Sequence, residues 1–399
     1  MLGPGTNVTA MKDIERERAA LCALNRIFGY EPNLTHRILD TLGTASALFA
    51  LDRRGREDLM GPFCKHLDEI SEREVERSAQ ELERLAQHGC RFLGITDPDY
   101  PALLRECEDA PAGLYIRSES APGTIFSGKP AIAVVGTRDL SLYGREACRR
   151  IVDAMARTRR APTVVSGFAL GTDIVAHATA LDCGLPTIAV LPTGIDDVYP
   201  RRHWKWAERL AATEGCALVT DYPPGTGAIA VNFLRRNRII AGLASATILI
   251  ESKRKGGGLI TADFALGYNR DVHALPGRLD DLRSEGCNCL IRSGMASAIA
   301  DIDLLMDDLG LGTPALRSTA LVRDEVRSRY EGTMNPSEVD FLVAVAECIK
   351  KRRGITPEEI AVRMSCAVGR VATATGLLEA DGLIETDLLG GCGIRTKIR

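Results

Sequence analysis

Four short segments bring together glycine, hydroxyl and basic residues in patterns suited to holding a phosphate. The first is Gly136-Thr137-Arg138, with Gly144 further on. A glycine lets backbone N–H groups approach an anion, Thr137 adds a hydroxyl and Arg138 a forked charge. The second, Ser166-Gly167-Phe168-Ala169-Leu170-Gly171-Thr172-Asp173, uses two glycines in the same way and leads to His177. In the third, Arg235-Arg236-Asn237-Arg238, three arginines and an asparagine open an otherwise apolar helical stretch. Arginine is unfavourable at a helix amino terminus, so an anionic partner is the economical reason for it. The fourth sets Lys253-Arg254-Lys255 before Gly256-Gly257-Gly258 and a further helix, which again looks like a backbone cradle for phosphate.

Bond-making chemistry finds less support. Asp173 and His177 are spaced i, i+4, which a catalytic pair could use, but a capping aspartate and a packed histidine fit the pattern better. Asp196 and Asp197, in the turn Pro192 to Pro200, suit a structural hydrogen-bond network rather than a metal. The 12 cysteines include no Cys-x-x-Cys pair, and Cys287 and Cys289 have no second pair at finger spacing, so reduced and mostly buried thiols are expected. No Gly-x-x-x-x-Gly-Lys-Ser/Thr loop is present. The sequence therefore names no catalytic residue, no metal and no cofactor, and the expected function is binding.

These loops need a scaffold, and the pattern around them supplies one. Residues 11 to 88 have helical spacing, with Ile14, Leu21, Leu24 and Ile27 in one segment. From about 130 the chain alternates short apolar runs with amphipathic stretches: 131 to 135, 162 to 166, 187 to 191, 216 to 220, 246 to 251 and 271 to 275. That alternation predicts βαβ units and a parallel sheet, where ligands gather at the carboxyl ends of the strands. Residues 311 to 335 read as a linker. The segment 336 to 399 predicts a winged helix, with Thr356, Pro357 and Glu359 forming a capping box. Its apparent recognition helix offers only Arg370 to a nucleic acid, which favours a structural or protein-contact role.

At 399 residues the chain has room for two to three domains of roughly 150 residues each. With 45% hydrophobic and 26% charged residues it is ordinary globular material, not collagenous or largely disordered. No apolar run reaches the roughly 18 residues of a membrane span, and the amino terminus does not read as a secretory signal, so a cytoplasmic location is expected. The net charge of -3 hides an uneven distribution. Residues 1 to 90 carry 12 Lys and Arg against 15 Asp and Glu, residues 128 to 300 carry 22 against 16, and residues 336 to 399 carry 9 against 9. A polyanion would be held by the middle segment.

The segments at 136 to 138, 166 to 177, 191 to 200 and 235 to 243, with the Gly256 to Gly258 loop, Ala274 to Gly277 and Gly286 to Gly294, together resemble the DprA/Smf family of DNA-processing proteins of bacterial natural transformation. The match runs in unbroken order from about 90 to 305. The resemblance implies an extended Rossmann-like domain (89–310) that binds single-stranded DNA, dimerises, and helps load RecA onto strands covered by single-strand-binding protein. It also implies an amino-terminal helical domain of the sterile-alpha-motif type (1–88) and a carboxy-terminal winged helix. Carried over, the DNA pocket would use Gly136, Thr137, Arg138, Ser166, Gly167, Phe168, Arg235 to Arg238 and the basic glycine loop 253 to 258. Three positions depart from the family pattern: Leu234 replaces a proline, Gly256 a serine, and Thr220-Asp221 a Ser-Glu pair.

Two other classes compete. Rossmann-like phosphoribohydrolases carry a GGxGTxxE loop, but aligning Gly257-Gly258 with it puts Ile260 at the third glycine and Phe264 at the catalytic glutamate. A winged-helix transcription regulator has only Arg370 to recommend it.

Overall fold

The apolar runs of the middle segment have no polar face, the mark of strands covered on both sides. In a computed structural model, which describes residues 4–126, 128–312, 319–351, 354–386 and 390–394, all six expected runs are strands. The chain begins with α1 (Pro4–Ile27), α2 (Pro32–Leu42), α3 (Ala45–Ala50), α4 (Arg53–Met60) and α5 (Glu72–Gln87), then β1 (Cys90–Gly94), α6 (Ala102–Arg105), β2 (Gly113–Arg117) and α7 (Pro122–Phe126). The wound core follows: β3 (Ala131–Val135), α8 (Leu142–Ala156), β4 (Thr163–Ser166), α9 (Thr172–Asp182), β5 (Thr187–Val190), α10 (Trp204–Ala211) and β6 (Ala217–Thr220). It continues through α11 (Ala230–Leu243), β7 (Ala246–Leu249), α12 (Gly257–Gly267), β8 (Asp271–Ala274), α13 (Glu285–Arg292), β9 (Ser297–Ala298) and α14 (Ile302–Asp308).

The nine strands lie in the order β1-β2-β6-β5-β4-β3-β7-β8-β9. β3 to β9 are mutually parallel, whereas β1 and β2 extend the sheet antiparallel beyond β6. Strand alternation sends Ile132 and Val134 to one face, with Val164, Ile248 and the α8 residues Cys148, Ile151 and Val152. Ala133 and Val135 go to the other face, with Val165, Ile188 and the α11 residues Ile239 to Leu243. The fold is thus the expected α/β class with a doubly wound, Rossmann-like parallel sheet. The chain moves one way from β3 through β6 and the other way from β7, so its topological switch point lies between β3 and β7.

The helical segment is not separated from this sheet by any break in packing. Ala19 to Leu24 of α1 are buried in one core with Phe92, Leu114 and Tyr115. Cys22 Sγ lies 3.2 Å from Tyr115 Oη, and Arg26 pairs with Glu81 of α5. Residues Met1–Thr313 form one compact unit and Pro314–Arg399 a second, so the boundary expected at 88 falls inside a shared core.

The second unit comprises α15 (Thr319–Tyr330), α16 (Pro336–Lys351), α17 (Pro357–Met364) and α18 (Val368–Ala380), followed by the antiparallel hairpin β10 (Ile384–Thr386) and β11 (Cys392–Ile394). Thr356 caps α17 in a full capping box with Glu359, and Pro357 takes the first helical position. The linker expected over 311 to 335 is therefore partly helix: Val326 and Tyr330 of α15 join the core of this unit with Leu342 and Ile349. Residues 313 to 318 of that linker lie outside the described residues.

Candidate nucleic-acid interface

At the switch point the turn after β3 and the turn after β7 abut. A Cβ on Gly258 would lie 3.2 Å from Gly136 Cα, and a Cβ on Gly136 2.5 Å from Thr172 Oγ1. Only glycine lets these loops close on each other, so Gly258→Val is expected to splay them and weaken anion binding, a loss read by nucleic-acid titration. The turn after β3 is clipped to α9, because Thr137 O accepts from Thr172 N at 3.1 Å. Gly171, at φ 76°, must be glycine to pass beneath the Thr137 and Arg138 carbonyls.

The two helices that begin at this crevice differ. The start of α8 is already occupied: Ser141 caps Gly144 N at 3.0 Å, and Glu251 accepts from Ser141 N at 3.0 Å and from its hydroxyl at 2.5 Å. Glu251 is 2% exposed. A carboxylate of the chain thus sits where dinucleotide-binding folds seat a pyrophosphate. The start of α12 is open. Gly256 is its N-cap, and among the described residues no acceptor takes the N–H groups of Gly257 or Gly258. Lys253, Arg254 and Lys255 just before it are exposed and form no ion pair among the described residues. Ser252 Oγ fills the space at 256, where a Cβ would come within 2.2 Å of it. The glycine at that departure from the family pattern therefore accommodates a neighbouring serine.

Arg138 is exposed, with its guanidinium 5.0 Å from the centre of the Phe233 ring. Phe233 meets Tyr199 edge to face at 5.3 Å. These three residues, from the turns after β3 and β5 and the first turn of α11, make a platform of cation and aromatic faces beside the glycine loop. Sequence reasoning missed Phe233 and Tyr199. Their signal was an aromatic just before the arginines and another ending the Asp196–Asp197 turn.

The arginine group departs most from expectation. It does not open its helix, because α11 begins at Ala230, and its side chains turn inward. Arg236 is buried and donates to the carbonyls of Gly167 and Val190. Burial pulls its guanidinium down to about 10 against the opposing pull of Asp173. Asp173 is itself raised by burial, with Arg236 counteracting. Arg238 is 3% exposed, pairs with Asp221 at 2.5 Å and donates to Asp109 O. Burial alone would lower its pKa, but Asp221 and Asp109 more than offset this and it is raised. Asn237 Nδ2 donates to Gly257 O at 3.3 Å, steadying the glycine loop from behind. Arg235 donates to Gly29 O at 3.0 Å and covers the Tyr30 ring at 4.5 Å. The group braces the site instead of lining it.

The turn after β4 behaves similarly. Ser166 Oγ donates to Val134 O at 2.6 Å. Gly167 is closed off by Arg236 and Asp173, which a Cβ would meet within 2.7 Å. Phe168, in left-handed backbone at φ 61°, is fully buried, with its ring between His177 and His203. His177 bonds Thr187 Oγ1 at 2.7 Å, not Asp173, and burial drops its pKa to about 3. The packed-histidine reading therefore describes this position. Asp196 receives Gly225 N at 3.0 Å, the structural network expected of that turn. Among the described residues no cluster of three or more His, Cys, Asp or Glu could hold a metal.

A doubly wound sheet whose switch point gathers glycine-loop amides, exposed cations, the half-buried Phe233 ring and the exposed Tyr199 ring is an α/β architecture with the chemistry to receive an extended anion. The family model for DNA recombination-mediator protein A matches residues 91–310, and the chain belongs to that family of DNA-processing proteins. Protein Smf of a Synechocystis species is 39% identical over 226 residues, 57% of this chain and 56% of that protein. The putative DNA processing protein DprA of Mycobacterium tuberculosis is 31% identical over 348 residues, 84% of this chain and 85% of the relative. The X-ray structure of DNA processing protein A from Streptococcus pneumoniae superposes with a TM-score of 0.63 at 28% identity, covering 73% of this chain and 97% of that one.

Proposed function

We propose that the chain binds single-stranded DNA without sequence preference at the β3/β7 crevice and, as a non-catalytic homodimer in the cytoplasm, helps load RecA onto strands covered by single-strand-binding protein. The observation that carries this reading is the union of exposed cations, open helix amides and the Arg138–Phe233–Tyr199 platform on one edge. Exposed rings stack any base, and duplex DNA hides its bases from them. Phosphate contacts to the loop cations carry no sequence information. Gly136, Thr137, Arg138, Lys253 to Lys255 and Gly256 to Gly258 are the proposed contacts, with Arg235, Arg236, Asn237, Arg238, Ser166, Gly167 and Phe168 as their support.

A strand-handing role needs no turnover, and a His177 that is buried and bonded away from Asp173 supports that reading. For self-association, Leu305, Met306 and Leu309 are committed to the chain's own core, which leaves Met295 and Leu304, both exposed, as the candidate face. We read α16 to α18 with the β10–β11 hairpin as a winged helix serving protein contacts, since Arg370 lies 3.9 Å from the centre of the Phe341 ring and is already engaged. A salt titration comparing single-stranded with duplex oligonucleotides tests the function. The fragment Met1–Thr313 is expected to bind single strands as tightly as the full chain. Loss of binding in that fragment, with its fold retained, would place the site in the second unit.

A further inference from the structure

Beyond Tyr199, which closes the crevice platform, the segment after β5 presents a surface that the crevice does not use. Tyr199 is 40% and Trp204 55% exposed, and Arg201, Arg202 and Lys205 between and beside them are exposed as well. None of these three cations is ion-paired among the described residues, whereas the next charges along, Glu208 and Arg209, are committed to Arg117 and Asp182. Lys205 Nζ lies 5.8 Å from the centre of the Trp204 ring.

The segment is anchored from within. His203, buried between its exposed neighbours, bonds Phe168 O through Nδ1 at 3.0 Å and packs its ring on Phe168 at 5.4 Å. The short helical turn Arg201–His203 is thus pinned to the turn after β4, beside the crevice. At its other end the strip is continuous with the crevice, because Tyr199 touches Phe233. A large exposed indole beside unpaired cations gains nothing for folding, yet alternating rings and cations are what a single strand needs.

We infer that Arg201 to Lys205 forms a second subsite for single-stranded DNA, onto which a strand passes from the crevice by way of Tyr199 and where Trp204 stacks a base. This rests on the function proposed above. Its charge and its continuity with the platform favour a nucleic-acid strand over a protein partner.

The test titrates the full chain with single strands of about 6 and about 20 nucleotides, the shorter within one site and the longer beyond it. Trp204→Ala is expected to weaken the long strand about tenfold, the size of one missing stack, and to leave the short one unchanged. Trp204→Phe should recover most of the loss. Arg201→Gln with Arg202→Gln should lower the salt slope by about 1.4 for the long strand alone. If wild type binds both strands and these variants match it on the long one, the subsite is overturned and the crevice stands. An equal loss on both lengths also overturns it, since Trp204 would then belong to the crevice or to the fold. Failure of wild type to bind either length would instead remove the crevice reading itself.

Discussion

Arg238→Ala is expected to lose about 3–5 kcal/mol of stability, because it strands the buried Asp221 carboxylate without its partner. Thermal unfolding should fall by on the order of 10 °C, while at low temperature the salt slope of DNA binding stays that of the wild type. Arg238→Met combined with Asp221→Leu should recover much of the loss, because an apolar pair of similar bulk removes both buried charges. A variant that melts like wild type but loses a phosphate's share of salt dependence would return Arg238 to the binding surface.

The exposed cations should show the opposite behaviour. Changing Arg138, Lys253, Arg254 and Lys255 together to glutamine is expected to flatten the logarithmic salt slope for single strands by about 2.8, roughly 0.7 for each phosphate left unneutralised. The melting temperature should barely move, since these side chains are exposed and surface changes away from buried networks are usually small. Fluorescence anisotropy across a salt series measures the first quantity and calorimetry the second. An unchanged slope would rule the glycine loop out as the phosphate site.

The contrast between these two groups of cations marks the limit of what a sequence conveys. Buried parallel strands are nearly continuous apolar runs, so β3 to β8 stand out along the chain. β1 and β2 do not, because each apolar run is interrupted or ended by an arginine, Arg91 and Arg117, that reaches Ser118 O and Glu208. The glycine turns are legible because their position after strands fixes where they gather. The inward turn of Arg235, Arg236 and Arg238 is not, because their acceptors lie far along the chain: Gly29, Gly167 and Asp109. A basic run advertises charge but not the direction it faces, and burial by distant carbonyls and carboxylates leaves no local mark. The packing of α1 against the sheet is hidden for a related reason, since the apolar face of α1 does not announce that a sheet will cover it.

Glu251 has a consequence for selectivity in a crowded cell. Free nucleotides and dinucleotide cofactors vastly outnumber any DNA strand, and a sheet of this type would ordinarily welcome them at its first helix. Here the side chain of Glu251 is a tethered internal occupant, so a lone nucleotide's phosphate finds that seat taken. A polymer does not need the seat, because it gathers many weak contacts along the rim. On the proposed reading, the closed seat at α8 leaves a ligand only the contacts it can gather along the rim, which suits a strand better than a monomer.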